Sequence, residues 1–207
     1  MTRKATALKH LKRVDPHLYG HTLEHHTSLP LQLFAKRTRA QLFESLVSTI
    51  ISQQLGLAAA DAIFARVKMA CGSRLTPKSV LRIRTATLRK AGLSGAKVKT
   101  LKEIATAVQN GSLDLLSLKK LPEAEAGEQL MRIWGIGPWT VEMFLMFALG
   151  RGDVFSPGDL GLVRAMETIY DLPKHSSHET LLAIAEKWSP YRTYASLLLW
   201  RSRDSEK

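Results

Sequence analysis

Apolar residues recur at spacings of three and four along nearly the whole chain, a periodicity that predicts helices almost everywhere. Leu42, Phe43, Leu46, Val47, Ile50 and Ile51 form one apolar stripe, expected to continue to Leu55, and mark a core helix. After Gly56, the Ala-rich run LAAADAIFARV supplies small residues that let a second helix approach closely. Thr76-Pro77 predicts a helix start with proline in the first turn, Thr85 another N-cap, and Gly92 a C-terminal stop. Helical pattern resumes from Ser94 to Val108, stops at Asn110-Gly111, and returns from Glu123 to Trp134 behind Leu121-Pro122. Past the turn at Gly135 to Gly137, helices are expected over about Pro138 to Leu149, Leu160 to Tyr170, His178 to Trp188 and Tyr191 to Arg203. No alternating strand pattern, internal repeat or low-complexity linker interrupts them. The fold class is all-α, with about ten short helices.

Charge narrows the function. Thirty Lys and Arg against eighteen Asp and Glu leave a net charge of +12 on 207 residues, which points to a polyanionic partner, nucleic acid first. The single cysteine, Cys71, excludes intramolecular disulfides, a four-thiolate iron–sulfur cluster and a cysteine-rich zinc site, and suits a reducing cytoplasm. Set before Gly72 at a helix end, it reads as a buried structural thiol. The basic N-terminus lacks the apolar run of a signal peptide, and MFLMFALG is too short to span a bilayer, so no membrane role is expected.

The stretch LMRIWGIGPWTVEMF, residues 130 to 144, stops one helix at a Gly-Ile-Gly turn and opens another at Pro138. Glycines allow positive φ and close approach of a ligand to the backbone, and the second helix begins with exposed N–H groups, so the turn suits a phosphate-sized anion. Ile136 is expected to point inward and staple the two helices. Taken alone, such a turn is equally a compact connection between helices. Farther on, DVFSPGDLGLVRA forces a turn at Ser156-Pro157-Gly158 and places Asp159 at a helix start, where it reads as an N-cap that can also face a cleft.

GIGPWT at 135 to 140 and DVFSPGD at 153 to 159 resemble the helix-hairpin-helix, the Gly/Pro-rich loop and the catalytic aspartate of the 3-methyladenine DNA glycosylase II family. FESLVSTIISQQL at 43 to 55 resembles that family's first core helix and DNA-inserting turn, and WSPYRTYASLLLWRSR at 188 to 203 its last helix, so the likeness spans about residues 1 to 205. The resemblance implies a helix-hairpin-helix glycosylase fold of two helical subdomains with the active site in the cleft between them. It places a helical subdomain at roughly 40 to 120 and the hairpin subdomain at 121 to 175, with segments 1 to 39 and 176 to 207 packing together. It implies Asp159 as the catalytic carboxylate, Trp139, Trp200 and Met143 in the base pocket, and Gly135, Ile136, Gly137 and Thr140 on the DNA backbone. Gln54, with Leu55 beside it, matches the position from which relatives fill the gap left by the extruded nucleotide. Trp134 and Trp188 read as core residues.

The implied activity is monofunctional hydrolysis of the N-glycosidic bond of alkylated purines in duplex DNA, opening base excision repair. The chemistry is compatible. Cleavage builds oxocarbenium character on the deoxyribose, which an ionised Asp159 stabilises, and an alkylated purine already carries the positive charge that lets it leave as a neutral base. Electron-rich indoles hold such a base by stacking and cation–π attraction. Lyase-active relatives carry a lysine two residues after the second hairpin glycine; here that residue is Trp139, so no amine stands there to form a Schiff base. Some relatives have tyrosine where this chain has Met143, which leaves the lesion range open.

The family's hairpin commonly binds a monovalent cation through main-chain carbonyls, here those of Met131, Ile133 and Ile136; no other cofactor is implied. The seven histidines, His10, His17, His21, His25, His26, His175 and His178, lie in polar or loop-like sequence without convergent acidic partners. Damaged double-stranded DNA is the expected partner, and a monomer is the default. Two alternatives stand beside this reading: a glycosylase for deaminated or oxidised bases, and a non-catalytic hairpin module that only grips phosphates. Lys36, Arg37 and Arg39, and the run Arg82, Arg84, Arg89, Lys90, Lys97, Lys99 and Lys102, are candidates to track the phosphate backbone, although charged helix faces are usually only solvated.

Overall fold

The computed structural model describes residues 3–27, 29 and 37–204; Lys36 of the first basic cluster lies outside them. Among the described residues there are twelve α-helices and no strand, and no helix is long and apolar enough to cross a membrane. The chain divides into two compact units, one formed by Ala35–Leu149 and the other by Met1–Phe34 with Gly150–Lys207.

The continuous unit is built around α3 (Arg39–Ser52). Thr38 and Gln41 form a capping box at its start, satisfying two of the amide groups that a helix leaves unpaired. All six residues of its apolar stripe are at most 1% exposed, and α4 (Leu57–Ala70), α7 (Gly95–Gln109) and α9 (Pro138–Phe147) pack against it. The stripe stops with the helix: Leu55, beyond Ser52, is 39% exposed, because the chain has left helical geometry and its side chain no longer follows the α3 face. Between α4 and α7 run α5 (Pro77–Arg82), started by the expected Thr76 cap, and α6 (Thr85–Lys90), whose N-cap is Arg84 one residue ahead of expectation. Cys71 caps α4 and is buried, and that burial pushes its thiol up, as befits a structural residue.

The boundary between the two compact units falls at Leu149/Gly150. Helix α8 (Glu123–Met131) ends earlier than Trp134, and α9 buries Val141, Met143, Phe144, Leu145 and Met146. A helix apolar on so many sides must be enclosed, and α9 finds its neighbours in α3 and α8.

The other unit comprises α1 (Arg3–Val14), α2 (Pro16–His21), α10 (Leu160–Ile169), α11 (His178–Glu186) and α12 (Arg192–Asp204), with α12 packed on α1 and α10. Asp15, the N-cap of α2, is its buried polar centre. Trp188 Nε1 donates to Asp15 Oδ2 at 2.7 Å, Tyr170 Oη at 2.5 Å, Lys187 Nζ sits 3.1 Å away, and Leu18 N donates to Oδ1 at 3.0 Å. Burial works to raise the Asp15 pKa, but these donors together outweigh it and hold the carboxyl below its ordinary value. Trp188 is fully buried, as expected, whereas His25 and His26 are buried rather than set in polar sequence on the surface.

Candidate active site and DNA-contacting turns

In the discontinuous unit, Asp159 is the N-cap of α10 and its Oδ1 accepts from Leu162 N at 3.0 Å. The same oxygen accepts from Trp200 Nε1, on α12, at 2.8 Å. The family resemblance implies a place for Trp200 in the base pocket; its indole N–H also holds the Asp159 carboxylate. Gly161 makes this contact possible, since a Cβ there would lie 2.9 Å from Asp159 Oδ1 and 3.0 Å from Trp200 Cδ1. A glycine in the first turn of a helix runs against propensity, and that signal was present in the sequence.

The loop leading to Asp159 is clamped to the start of α12. Arg192 donates through Nε to Asp153 Oδ1 and through Nη2 to Oδ2, both at 2.9 Å, while its backbone N donates to Oδ1 at 3.1 Å. Ser189 Oγ donates to Oδ2 at 2.8 Å. Thr193, buried, donates its hydroxyl to Arg151 O at 2.8 Å and accepts from Val154 N at 3.0 Å. Although burial works against the charged form, the Arg192 fork and Ser189 hold the Asp153 carboxyl below its usual range. No sequence signal links Asp153 to residues so distant in the chain.

In the continuous unit, the turn between α8 and α9 takes the expected form. Gly135 adopts φ +84°, and a Cβ there would stand 2.1 Å from the Thr100 hydroxyl oxygen, so only glycine fits. Ile136 is buried, in keeping with an inward-pointing side chain, and its N donates to Ile133 O at 3.2 Å. Gly137 is the extended N-cap of α9, with nothing within 4 Å of where a Cβ would be. The first bond of α9 runs from Val141 N to Gly137 O, so the amides of the opening turn are directed out of the helix start, where an anion is favoured. Thr140 is 1% exposed and its hydroxyl accepts from Gln53 Nε2 at 2.9 Å; what it can offer DNA is its backbone, not its side chain. Trp139 and Met143 lie on α9, half-buried and buried.

Trp134, expected in the core, is 46% exposed: α8 ends at Met131, so the residue sits on the turn, where Lys99 Nζ lies 4.1 Å from its ring centroid.

The turn after α3 carries Gln54 and Leu55, both exposed, with Gln54 at φ +57°. Holding a non-glycine residue there costs about 1–2 kcal/mol, and its neighbours stabilise it. Gln53 donates to Gly135 O at 3.1 Å as well as to Thr140, and Lys97 Nζ donates to Ile51 O at 2.8 Å and Gln53 O at 2.6 Å. Lys102 donates likewise to Leu81 O at 2.9 Å and Ile83 O at 2.5 Å. Two lysines of the basic run are therefore engaged as caps of helix C-termini.

A carboxylate N-cap fixed by an indole, on an all-helical fold with a Gly-Ile-Gly hairpin, defines the class of helix-hairpin-helix base-excision proteins. The family model of the HhH-GPD superfamily base excision DNA repair proteins matches residues 47–190, and the chain belongs to that superfamily. It is similar to the DNA-3-methyladenine glycosylase 1 of Schizosaccharomyces pombe, 36% identical over 163 residues that cover 77% of this chain and 72% of the relative. Among solved structures, a DNA-3-methyladenine glycosidase from Bacillus halodurans superposes with a TM-score of 0.77 at 34% identity, covering 100% of this chain and 92% of the other. The Schizosaccharomyces pombe 3-methyladenine DNA glycosylase in complex with abasic DNA superposes with a TM-score of 0.83 at 31% identity, covering 95% of each chain.

Proposed function

We propose that this protein is a monofunctional DNA glycosylase that extrudes alkylated purines, of the 3-methyladenine and 7-methylguanine type, from duplex DNA and hydrolyses their N-glycosidic bond. The observation that carries the reading is the Asp159 carboxylate, held through Oδ1 by Leu162 N and Trp200 Nε1 on a loop clamped by Asp153 and Arg192. A carboxylate fixed before substrate arrives stabilises developing positive charge on the deoxyribose without reorganising, and can orient the attacking water. The names of the relatives support alkylated purines as the substrate class.

The opening amides of α9 and the open face of Gly137 supply the grip on a backbone phosphate, and Gln54 and Leu55 the wedge that fills the vacated stack. Carbonyls of Met131, Ile133 and Ile136 are the proposed ligands of a bridging monovalent cation. Trp139, Met143 and Trp200 are the candidates for holding the base, an assignment that rests on family likeness alone. With tryptophan at 139, two residues after the second hairpin glycine, no amine stands ready for a Schiff base, so the product is an abasic site on an unbroken strand.

The test is release of methylated bases from alkylated duplex DNA by wild type and by Asp159→Asn, with abasic sites scored before and after alkali. Wild type should release bases and yield strand breaks only after alkali, and the variant should bind DNA yet lose at least about a hundredfold in rate. Tight binding without release by wild type would identify a non-catalytic module instead.

A further inference from the structure

We propose that Lys97 is a positioning residue for nucleotide extrusion: it makes α7 a ruler that sets the inserting turn at a fixed distance from the backbone-gripping hairpin. The inference rests on the function proposed above and assigns a role to a residue that touches neither the base nor the reacting bond.

Lys97 occupies the third position of α7, in the first turn of the helix, where a cation opposes the helix dipole. Its Nζ is also partly withdrawn from water, and that desolvation lowers its pKa. Neither feature stabilises α7 itself. The compensation lies at the end of α3, whose carbonyls of Ile51 and Gln53 accept from the ammonium at 2.8 and 2.6 Å. No glycine stands at the positions directly after α3 to close its C-terminus: Gln53 leaves in a non-helical conformation and Gln54 is left-handed. Lys97 takes the part that a glycine-based helix stop would otherwise play, and leaves the next two side chains, Gln54 and Leu55, pointing outward.

The same helix carries the other end of the ruler. Thr100 lies one turn farther along α7, and its side chain occupies the space that any Cβ on Gly135 would need. Gln53 joins the two turns directly, donating from one amide nitrogen to Gly135 O at 3.1 Å and to Thr140 Oγ1 at 2.9 Å. The inserting turn and the hairpin therefore share one rigid base, with Lys97 under the first and Thr100 under the second. A wedge tied to its phosphate grip inserts at a defined point in the stack, whereas a loose wedge lowers the cost of extrusion less.

The prediction distinguishes positioning from general stability. Extrusion of a paired nucleotide costs more than extrusion of a mispaired one, so a misplaced wedge should penalise the paired lesion selectively. Single-turnover release is to be measured for one alkylated purine placed in a fully paired duplex and in the same duplex with a mispaired partner. Lys97→Met should lower the paired-to-mispaired rate ratio by about tenfold, Gln53→Ala should lower it in the same direction, and Lys97→Arg, which can still donate to two carbonyls, should keep it within about threefold of wild type. Equal losses on both duplexes, or an unchanged ratio in Lys97→Met and Gln53→Ala alike, would overturn the inference while leaving the glycosylase reading intact. Wild type that releases no base from either duplex would overturn both.

Discussion

A methyl group at Gly161 would press on Asp159 Oδ1 and on the Trp200 ring together, and Asp159 has little room to retreat because the same oxygen accepts from Leu162 N. Gly161→Ala should therefore lower single-turnover base release by about tenfold or more, although alanine favours a helix over glycine by about 1 kcal/mol. Activity lost at unchanged or raised melting temperature is the expected pattern; a wild-type rate would show that the Trp200–Asp159 contact does not limit catalysis. Trp200→Phe separates the two duties of the indole, since it keeps an aromatic face and removes the N–H donor. Loss of rate with retained binding of an abasic-site duplex would assign the N–H the larger part.

At the scale of elements, the hairpin between α8 and α9 contains two glycines that the structure needs for different reasons. Gly135 combines a positive φ with contact on Thr100, so Gly135→Ala should destabilise the fold by about 2 kcal/mol or more in urea unfolding. Gly137 has ordinary extended geometry and open space around it, so Gly137→Ala should leave unfolding nearly unchanged. Its effect should fall on DNA affinity, because a Cβ there obstructs only something approaching from outside. Equal effects of the two substitutions on stability would contradict this division.

At the scale of the whole molecule, titratable groups partly or wholly withdrawn from solvent set the response to acid. Asp15 and Asp153 have folded-state pKa values below those of the unfolded chain, so their contribution is present above about pH 4 and is lost as pH falls through the folded values. Burial, with the charges of His25 and Lys4, depresses His26 as well, so its contribution is present above about pH 6.5 and declines below it. Thermal unfolding from pH 7 to pH 3 should show a shallow decline followed by a steep one. Asp15→Asn should lower stability at pH 7 by about 3 kcal/mol and flatten the acid limb. The net charge of +12 predicts a second whole-molecule property: duplex affinity should fall with salt by roughly one log–log slope unit per phosphate neutralised.

The apolar stripe of α3, the cap at Thr76, the Gly-Ile-Gly turn and Asp159 as an N-cap were all legible in the sequence, because each depends on residues within a turn or two of one another. Helix ends were legible only to within a few residues: α8 stops at Met131, short of Trp134, which leaves the tryptophan on the turn and exposed. Which side chains hold the machinery was a matter for tertiary structure alone. Asp153 meets Arg192, Trp200 meets Asp159, and Lys97 meets the carbonyls of α3 across separations of 39 to 46 residues. A lysine in a basic run looks the same in sequence whether it neutralises a phosphate or caps a helix. Only the placement of an acceptor within hydrogen-bonding distance decides between them, and that placement is set by how the helices pack.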